Sequence, residues 1–342
     1  MNKFNVKVSI LLLVMISSGT VFASGRLTNV GTTAASFLEV GVGSRAIGMG
    51  GAFVGIADDV SSLYWNPAGL GVITSGEMIF ERIDWLTGIS FNFFGMAIPL
   101  NGYGALGFFI NSMTMPKMKV RTIVYPDGTG EDFEVSSIAI GLSYGKNLTD
   151  RFSIGFNCKY INESIWHEQA KSIAFDVGTI YRTRIRGLTI GAAITNYGPD
   201  MQLDGSDLII YHDPDPMKLG NNDKIMGKLL TDNWPLPLNM QFGIAYEVIN
   251  SKAVKFITAI DAFHPINNTE GVNLGCELAL FKMFFLRSGY KALGQQDSEE
   301  GLTFGGGLNY KLFGQSYIKL DYAYTDFGRF KNTNRFTLRL NF

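Results

Sequence analysis

Arg335-Phe-Thr-Leu-Arg-Leu-Asn-Phe342 is the stretch that decides the fold. In an extended chain successive side chains point to opposite faces, so Phe336, Leu338, Leu340 and Phe342 share one side while Arg335, Thr337, Arg339 and Asn341 share the other. The same period of two recurs upstream. Phe152, Ile154, Phe156, Cys158 and Tyr160 alternate with Ser153, Gly155, Asn157 and Lys159, and Val272, Leu274, Cys276, Leu278 and Leu280 with Asn273, Gly275 and Glu277. One face is apolar throughout, and the other mixes glycine, asparagine, threonine and charges.

Fourteen such segments are expected, at 77–86, 88–99, 104–114, 133–145, 151–164, 171–182, 187–196, 237–247, 254–264, 271–281, 283–291, 301–312, 315–326 and 333–342. The connections after the even-numbered segments are short and those after most odd-numbered ones are longer, the longest from Tyr197 to Pro237. An even strand number, with short turns at one end and long loops at the other, is the pattern of an outer-membrane barrel. Trp85, Trp166 and Trp234 fall at the long-loop ends, and Tyr144, Tyr181, Tyr246 and Tyr310 at the short-turn ends, as two interfacial aromatic belts would require. The predicted fold class is therefore all-β: a closed antiparallel transmembrane β-barrel of about 14 strands, closed because an open sheet edge in hydrocarbon leaves backbone groups unsatisfied.

Composition agrees. The chain is 46% hydrophobic, 13% aromatic and only 17% charged, with 40 glycines among 342 residues, yet no uninterrupted apolar run beyond the N-terminal segment is long enough for a spanning helix. A net charge of −1 carries no footprint for nucleic acid. Residues 1–23 read as a cleaved signal peptide, with Lys3 and Lys7, an apolar Val8 to Ile16, and Val21-Phe-Ala23 before the cut. That divides the chain into a signal at 1–23, an N-terminal hatch or plug at 24–75 and a barrel at 76–342.

The hatch is a glycine-punctuated run, Gly41-Val-Gly-Ser-Arg-Ala-Ile-Gly-Met-Gly-Gly, followed by Ala57-Asp-Asp and Asn66-Pro-Ala-Gly-Leu70. As a phosphate loop it fails, because Gly43 to Gly48 is followed by Met-Gly and no strand–helix series surrounds it. Its glycines suit tight packing and unusual dihedrals instead, and its motif residues are Gly43, Arg45, Gly48, Gly50, Gly51, Asp58, Asp59, Asn66 and Pro67. With the polar strand face turned inward, Lys159, Asp176, Glu277, Arg287, Lys311, Lys319, Asp321, Arg335 and Arg339 line the lumen. Charges of both signs there must be watered or paired, and Arg45, Asp58, Asp59 and Asn66 are their candidate partners.

In the Tyr197–Pro237 loop, Asp223 is expected to cap a short helix carrying Ile225, Met226, Leu229 and Leu230, a lid or partner surface. Met118, Val120, Thr122 and Val124 before Pro126-Asp-Gly-Thr-Gly suggest a hairpin extending from strands three and four. Nothing supports catalysis or a cofactor. His167, His212 and His264 are not at metal-ligand spacing, the loop aspartates fit no EF-hand, no Gly-x-Ser-x-Gly elbow occurs, and Cys158 and Cys276 are too far apart around a barrel to bond.

Thr33 to Asp59, with Gly43-Ser-Arg-Ala, Ala57-Asp-Asp and Leu63-Tyr-Trp-Asn-Pro-Ala-Gly-Leu70, closely resembles the N-terminus of the PorV/PorQ family and, more distantly, the hatch of FadL-type transporters of hydrophobic compounds. Phe342 is similar to the C-terminal aromatic by which outer-membrane barrels are presented for insertion. The resemblance implies a fourteen-stranded barrel with a periplasmic-side hatch, bedded in outer-membrane lipid. Within PorV-like proteins it implies an accessory of type IX protein secretion that engages exported cargo or secretion components. Within FadL-like proteins it implies passive passage of hydrophobic small molecules.

Overall fold

The computed structural model describes residues 30–342 apart from 216, 218–223, 296, 297, 313, 315 and 331. The expected signal at 1–23 and the capping Asp223 lie outside the described residues. Fourteen long strands form the wall: β1 (Glu77–Asp84), β2 (Ser90–Pro99), β3 (Ala105–Thr114), β4 (Val135–Asn147), β5 (Phe152–Ile165), β6 (Glu168–Arg182), β7 (Leu188–Tyr197), β8 (Asn239–Asn250), β9 (Val254–Pro265), β10 (Gly271–Leu280), β11 (Phe284–Leu293), β12 (Leu302–Lys311), β13 (Tyr317–Thr325) and β14 (Thr333–Asn341). Every neighbour in sequence is an antiparallel neighbour in space, and β14 returns to β1, Glu77 facing Asn341, so the sheet is closed. A two-residue bridge at Asp204–Gly205 adds to the long-loop end of β6 outside the ring.

Burial alternates along most strands, and the outward positions are mainly apolar. Phe80, Ile140, Leu142, Phe156, Phe175, Phe242, Ile260, Leu286, Phe304, Leu320 and Phe336 all face outward, on ten of the fourteen strands. The inner face holds Asn157, Asp176, Asp261, Glu277, Arg287, Asp321, Arg335 and Arg339. That polarity is the reverse of a soluble barrel and is the one lipid selects. No helix among the described residues is long and apolar enough to cross a membrane.

Several local expectations are corrected. The β5–β6 connection is only Trp166 and His167, because the two strands stay paired up to Ile165 and Glu168, where a tight turn puts Trp166 at a φ of 55°. Trp85 does not belong to an outer aromatic belt. It packs inward at the long-loop mouth, edge-on to Phe327 at 5.3 Å and beneath the Arg335 guanidinium at 5.2 Å. The helix expected around Ile225 is instead a strand, Ile225–Lys228, paired antiparallel with Ile209–His212. Gly227 in its middle weakens a helix of that length, while the β-branched Ile209 and Ile210 opposite favour pairing. Ile225, Met226, Leu229 and Leu230 are all exposed on or beside this hairpin. Residues 118–133 form a second hairpin beyond β3 and β4, Met118 opposite Phe133.

Candidate functional site: a hatch held in the lumen by charge

The N-terminal segment runs through the barrel and contacts both ends of the wall. Its start lies at the long-loop end: the Ala34 amide donates to the Pro235 carbonyl at 3.0 Å, the Ala35 amide to Glu163 at 2.9 Å, and Asn267 donates to Glu39 at 3.1 Å. Phe37 and Leu38 bury themselves there against Ala139, Ile161, Met201 and Leu236. Its finish lies at the short-turn end, where Gly71 sits against Lys146 and Asn147.

Between these ends the chain makes two one-turn helices, α1 (Ser44–Gly48) and α2 (Ser62–Trp65). Gly43, Gly50 and Gly51 sit at φ of 84°, 68° and 78°, a region open mainly to glycine. Gly50 has a second reason: a Cβ there would lie 2.6 Å from the Leu274 carbonyl oxygen of β10. Asn66 begins the last turn, accepting from the Ala68 amide at 3.2 Å and donating to the Val54 carbonyl at 2.9 Å and to that of Thr179 on β6 at 3.1 Å. Pro67 follows at the first position of the turn, where its missing N–H leaves nothing unsatisfied.

Arg45 on α1 is the centre of a closed ring of charge. Its Nε and Nη2 donate to the two carboxylate oxygens of Glu277 on β10, each at 2.9 Å. Glu277 also accepts from Arg287 Nε at 2.7 Å, and Arg287 Nη1 donates to Asp321 on β13 at 2.7 Å. Asp321 accepts from Arg339 Nη2 on β14 at 2.7 Å, Arg339 Nη1 donates to Asp59, and Asp59 accepts from Arg45 Nη1 at 2.8 Å. Three arginines and three carboxylates thus alternate around a circuit, two members from the hatch and four from the wall. Asp58 makes a further contact with Arg45 Nη1 at 2.5 Å, but its side chain is 40% exposed, against 4% for Asp59. Inside a barrel each charge would be very costly alone, and the circuit gives each one two opposite neighbours. Burial works against the charge on Arg45, yet Asp58, Glu277 and Asp59 hold its pKa well above the ordinary value. Burial likewise opposes ionisation of Asp59, and Arg339 and Arg45 outweigh it, leaving that carboxyl far below the usual range.

Further hydrogen bonds extend the grip. Asp261 on β9 accepts both the Phe53 and Val54 amides at 2.7 Å, Glu81 on β1 accepts the Gly43 amide at 2.7 Å, and Thr337 on β14 meets the Ser44 amide and hydroxyl, each at 2.8 Å. Asn157 on β5 donates to the Leu63 carbonyl at 2.8 Å. The wall reaches the hatch where it has no side chain: a Cβ on Gly48 would lie 3.0 Å from Gly305 Cα, and one on Gly178 would meet the Asn66 amide oxygen and Pro67 Cδ. On the long-loop side of the hatch is a cavity of about 270 Å³, bounded by Leu38, Tyr64, Trp65 and Phe109 but also by Asn111, Gln241 and the Lys159–Asp176 pair at 2.7 Å.

All nine hatch-motif residues lie in this assembly. Of the wall residues singled out in sequence, Lys159, Asp176, Glu277, Arg287, Asp321, Arg335 and Arg339 are buried in it and Lys319 is half-buried. Lys311 is a correction. It has the inward parity but sits at the short-turn rim of β12, beyond the hatch, and is exposed. Asp261 and Glu81 are new; each is an acid at an inward position between aliphatic residues, in Ile257-Thr-Ala-Ile-Asp261 and Ile79-Phe-Glu-Arg-Ile83, and that parity was the available signal. No group of three His, Cys, Asp or Glu side chains able to hold a metal occurs among the described residues.

In three dimensions the chain is similar to the Ralstonia pickettii toluene transporter TbuX (12% identity, TM-score 0.54, covering 88% of this chain and 97% of that one) and to the CymD monoaromatic hydrocarbon channel (12%, 0.55, 88% and 97%). A Pseudomonas aeruginosa FadL homologue matches comparably (11%, 0.52, 88% and 98%). The fold is that of a FadL-type barrel. No family model and no curated protein matches the sequence. The FadL-type architecture therefore rests on the course of the backbone.

Proposed function

We propose that this protein is a passive outer-membrane transporter for small hydrophobic molecules, with residues 24–75 as its closure. The observation that carries the reading is that the lumen of an outwardly apolar barrel is filled by a segment of the same chain, seated on the wall both by apolar packing and by a ring of ionic contacts. Solved structures of similar fold include toluene transporters and a monoaromatic hydrocarbon channel, which agrees with it. The motif residues Gly43, Arg45, Gly48, Gly50, Gly51, Asp58, Asp59, Asn66 and Pro67 form and seat the closure, and Phe342 serves insertion.

A second reading, the PorV-like secretion accessory, is favoured by the close likeness of Thr33–Asp59 to that family and by the exposed apolar hairpin. Tyr211, Met226 and Leu230 there are 70%, 68% and 90% exposed, a surface suited to a protein partner. A gene deletion separates the two. Slower uptake of a monoaromatic compound with normal secretion supports the transporter; trapped periplasmic cargo with unchanged uptake would replace it with the accessory.

A further inference from the structure

The outer wall carries a groove of about 1030 Å³ across β1–β3 and β11–β14. It follows two hydrogen-bonded rows of outward side chains. One row runs Ile110, Phe94, Phe80, Leu338, Leu320, Leu308, Phe284, by the pairings Phe94 with Ile110, Phe80 with Phe94, Phe80 with Leu338, Leu320 with Leu338, Leu308 with Leu320 and Phe284 with Leu308. The other runs Ser112, Asn92, Arg82, Phe336, Tyr322, Gly306, Leu286. Phe284 begins β11 at the short-turn end, while Arg82 lies two residues from the long-loop end of β1, so the groove climbs obliquely across the barrel. Gly306 deepens it, since its outward side is open, with the nearest atom to a Cβ there 3.9 Å away.

The groove is apolar along its length and polar only at its upper end, where Arg82, Asn92 and Ser112 stand side by side on adjacent strands. Arg82 is exposed on this face and forms no ion pair or side-chain hydrogen bond among the described residues. Asp84, on the same face one step nearer the rim, does not reach it. A cation facing lipid is tolerated near the interface but destabilising towards the midplane, and here it stands at the mouth of an aromatic-lined channel. Free water serves Arg82 poorly beside Phe80 and Phe336, whereas a phosphate oxygen would meet its guanidinium directly.

The geometry points to a binding site for an anionic, phosphate-bearing membrane lipid, with its headgroup on Arg82, Asn92 and Ser112 and its acyl chain laid along the Phe94–Phe80–Leu338–Leu320 row. This rests on the membrane placement proposed above. Charge complementarity favours a lipid over a second protein, because a protein surface covering the groove would need an acid opposite Arg82 buried in hydrocarbon.

The full chain, purified in a neutral detergent, is incubated with dioleoylphosphatidic acid or dioleoylphosphatidylcholine and bound lipid is counted by native mass spectrometry. The parent is expected to retain phosphatidic acid about tenfold better, roughly 1.4 kcal/mol. Arg82→Gln is expected to bring the ratio below about twofold and Arg82→Lys to keep part of it. Lys171→Gln, which removes another outward cation, on β6 outside the groove, should leave it unchanged. Equal retention of both lipids by the parent, or equal loss in Arg82→Gln and Lys171→Gln, overturns the site. Capture of a protein in place of lipid overturns it too. Heat-modifiable gel migration reports folding of each variant, and insertion of the parent into phosphatidylcholine vesicles tests the membrane reading separately.

Discussion

Replacing Arg45 by glutamine opens the charge circuit at its hatch member. Four contacts are lost: two to Glu277 at 2.9 Å, one to Asp59 at 2.8 Å and one to Asp58 at 2.5 Å. The Asp58 contact is discounted, since that carboxylate is 40% exposed and well screened. Removing one partner of a buried pair costs about 3–5 kcal/mol when the other is left alone. Here Glu277 keeps Arg287 and Asp59 keeps Arg339, so the lower end, about 3 kcal/mol, is expected. If a displaced hatch makes none of these contacts, the ratio of seated to displaced hatch falls by about 150-fold. Open probability in a planar bilayer reads that ratio, and Asp58→Asn should change it by less than about threefold. An open probability for Arg45→Gln within about threefold of the parent would refute the reasoning. The pH response follows from Asp59. Its carboxyl is depressed in the seated hatch, so its contribution is complete above the ordinary aspartate value of about 3.9 and is lost only as pH falls further, towards the seated value. Acidification from pH 7 to about 5 should therefore leave the Asp59 latch closed.

Three further outcomes are expected. Asp261→Ala leaves the buried Phe53 and Val54 amides without their acceptor, so their hydrogen exchange should quicken by a hundredfold or more, at about 1.5–3 kcal/mol per charge-assisted bond; unchanged exchange would show that the contact does not hold the hatch. Gly178→Val puts a side chain where Asn66 and Pro67 pack, so passage should become leaky by about 1–3 kcal/mol of overpacking while gel migration stays that of a folded barrel. Deleting 209–228 removes the exposed Ile209–His212 and Ile225–Lys228 strand pair while leaving the fourteen wall strands intact, so folding and uptake should persist; loss of cargo binding alone in that variant would favour the secretion reading.

The wall was legible because its signal is local. Period-two alternation in Phe152–Tyr160 or Arg335–Phe342 needs no knowledge of neighbours, and β5 and β14 lie where it places them. The circuit was not legible, because bringing Glu277, Arg287, Asp321 and Arg339 to one height depends on the register of four strands, and inward parity alone says nothing of height. Lys311 shows the difference: its parity matches Thr303 and Gly307, but the hatch does not reach its level. Trp85 was misplaced for a related reason, since its position at a strand end fits an interfacial belt while Phe327 and Arg335 draw it over the mouth. In the long loop, Ile225 and Met226 fit a helix and a strand equally well, and only Ile209–His212 opposite decided between them.

The central claim is that passage requires the hatch to leave its seat. The hydroxyls of Ser44 on α1 and Thr337 on β14 are 2.8 Å apart, so cysteines at these two positions, with Cys158 and Cys276 replaced by serine, are placed to cross-link hatch to wall. In proteoliposomes the oxidised Ser44→Cys/Thr337→Cys protein is predicted to stop passage of a monoaromatic compound and to recover it on reduction. Passage at the parent rate while the cross-link is intact would contradict the account.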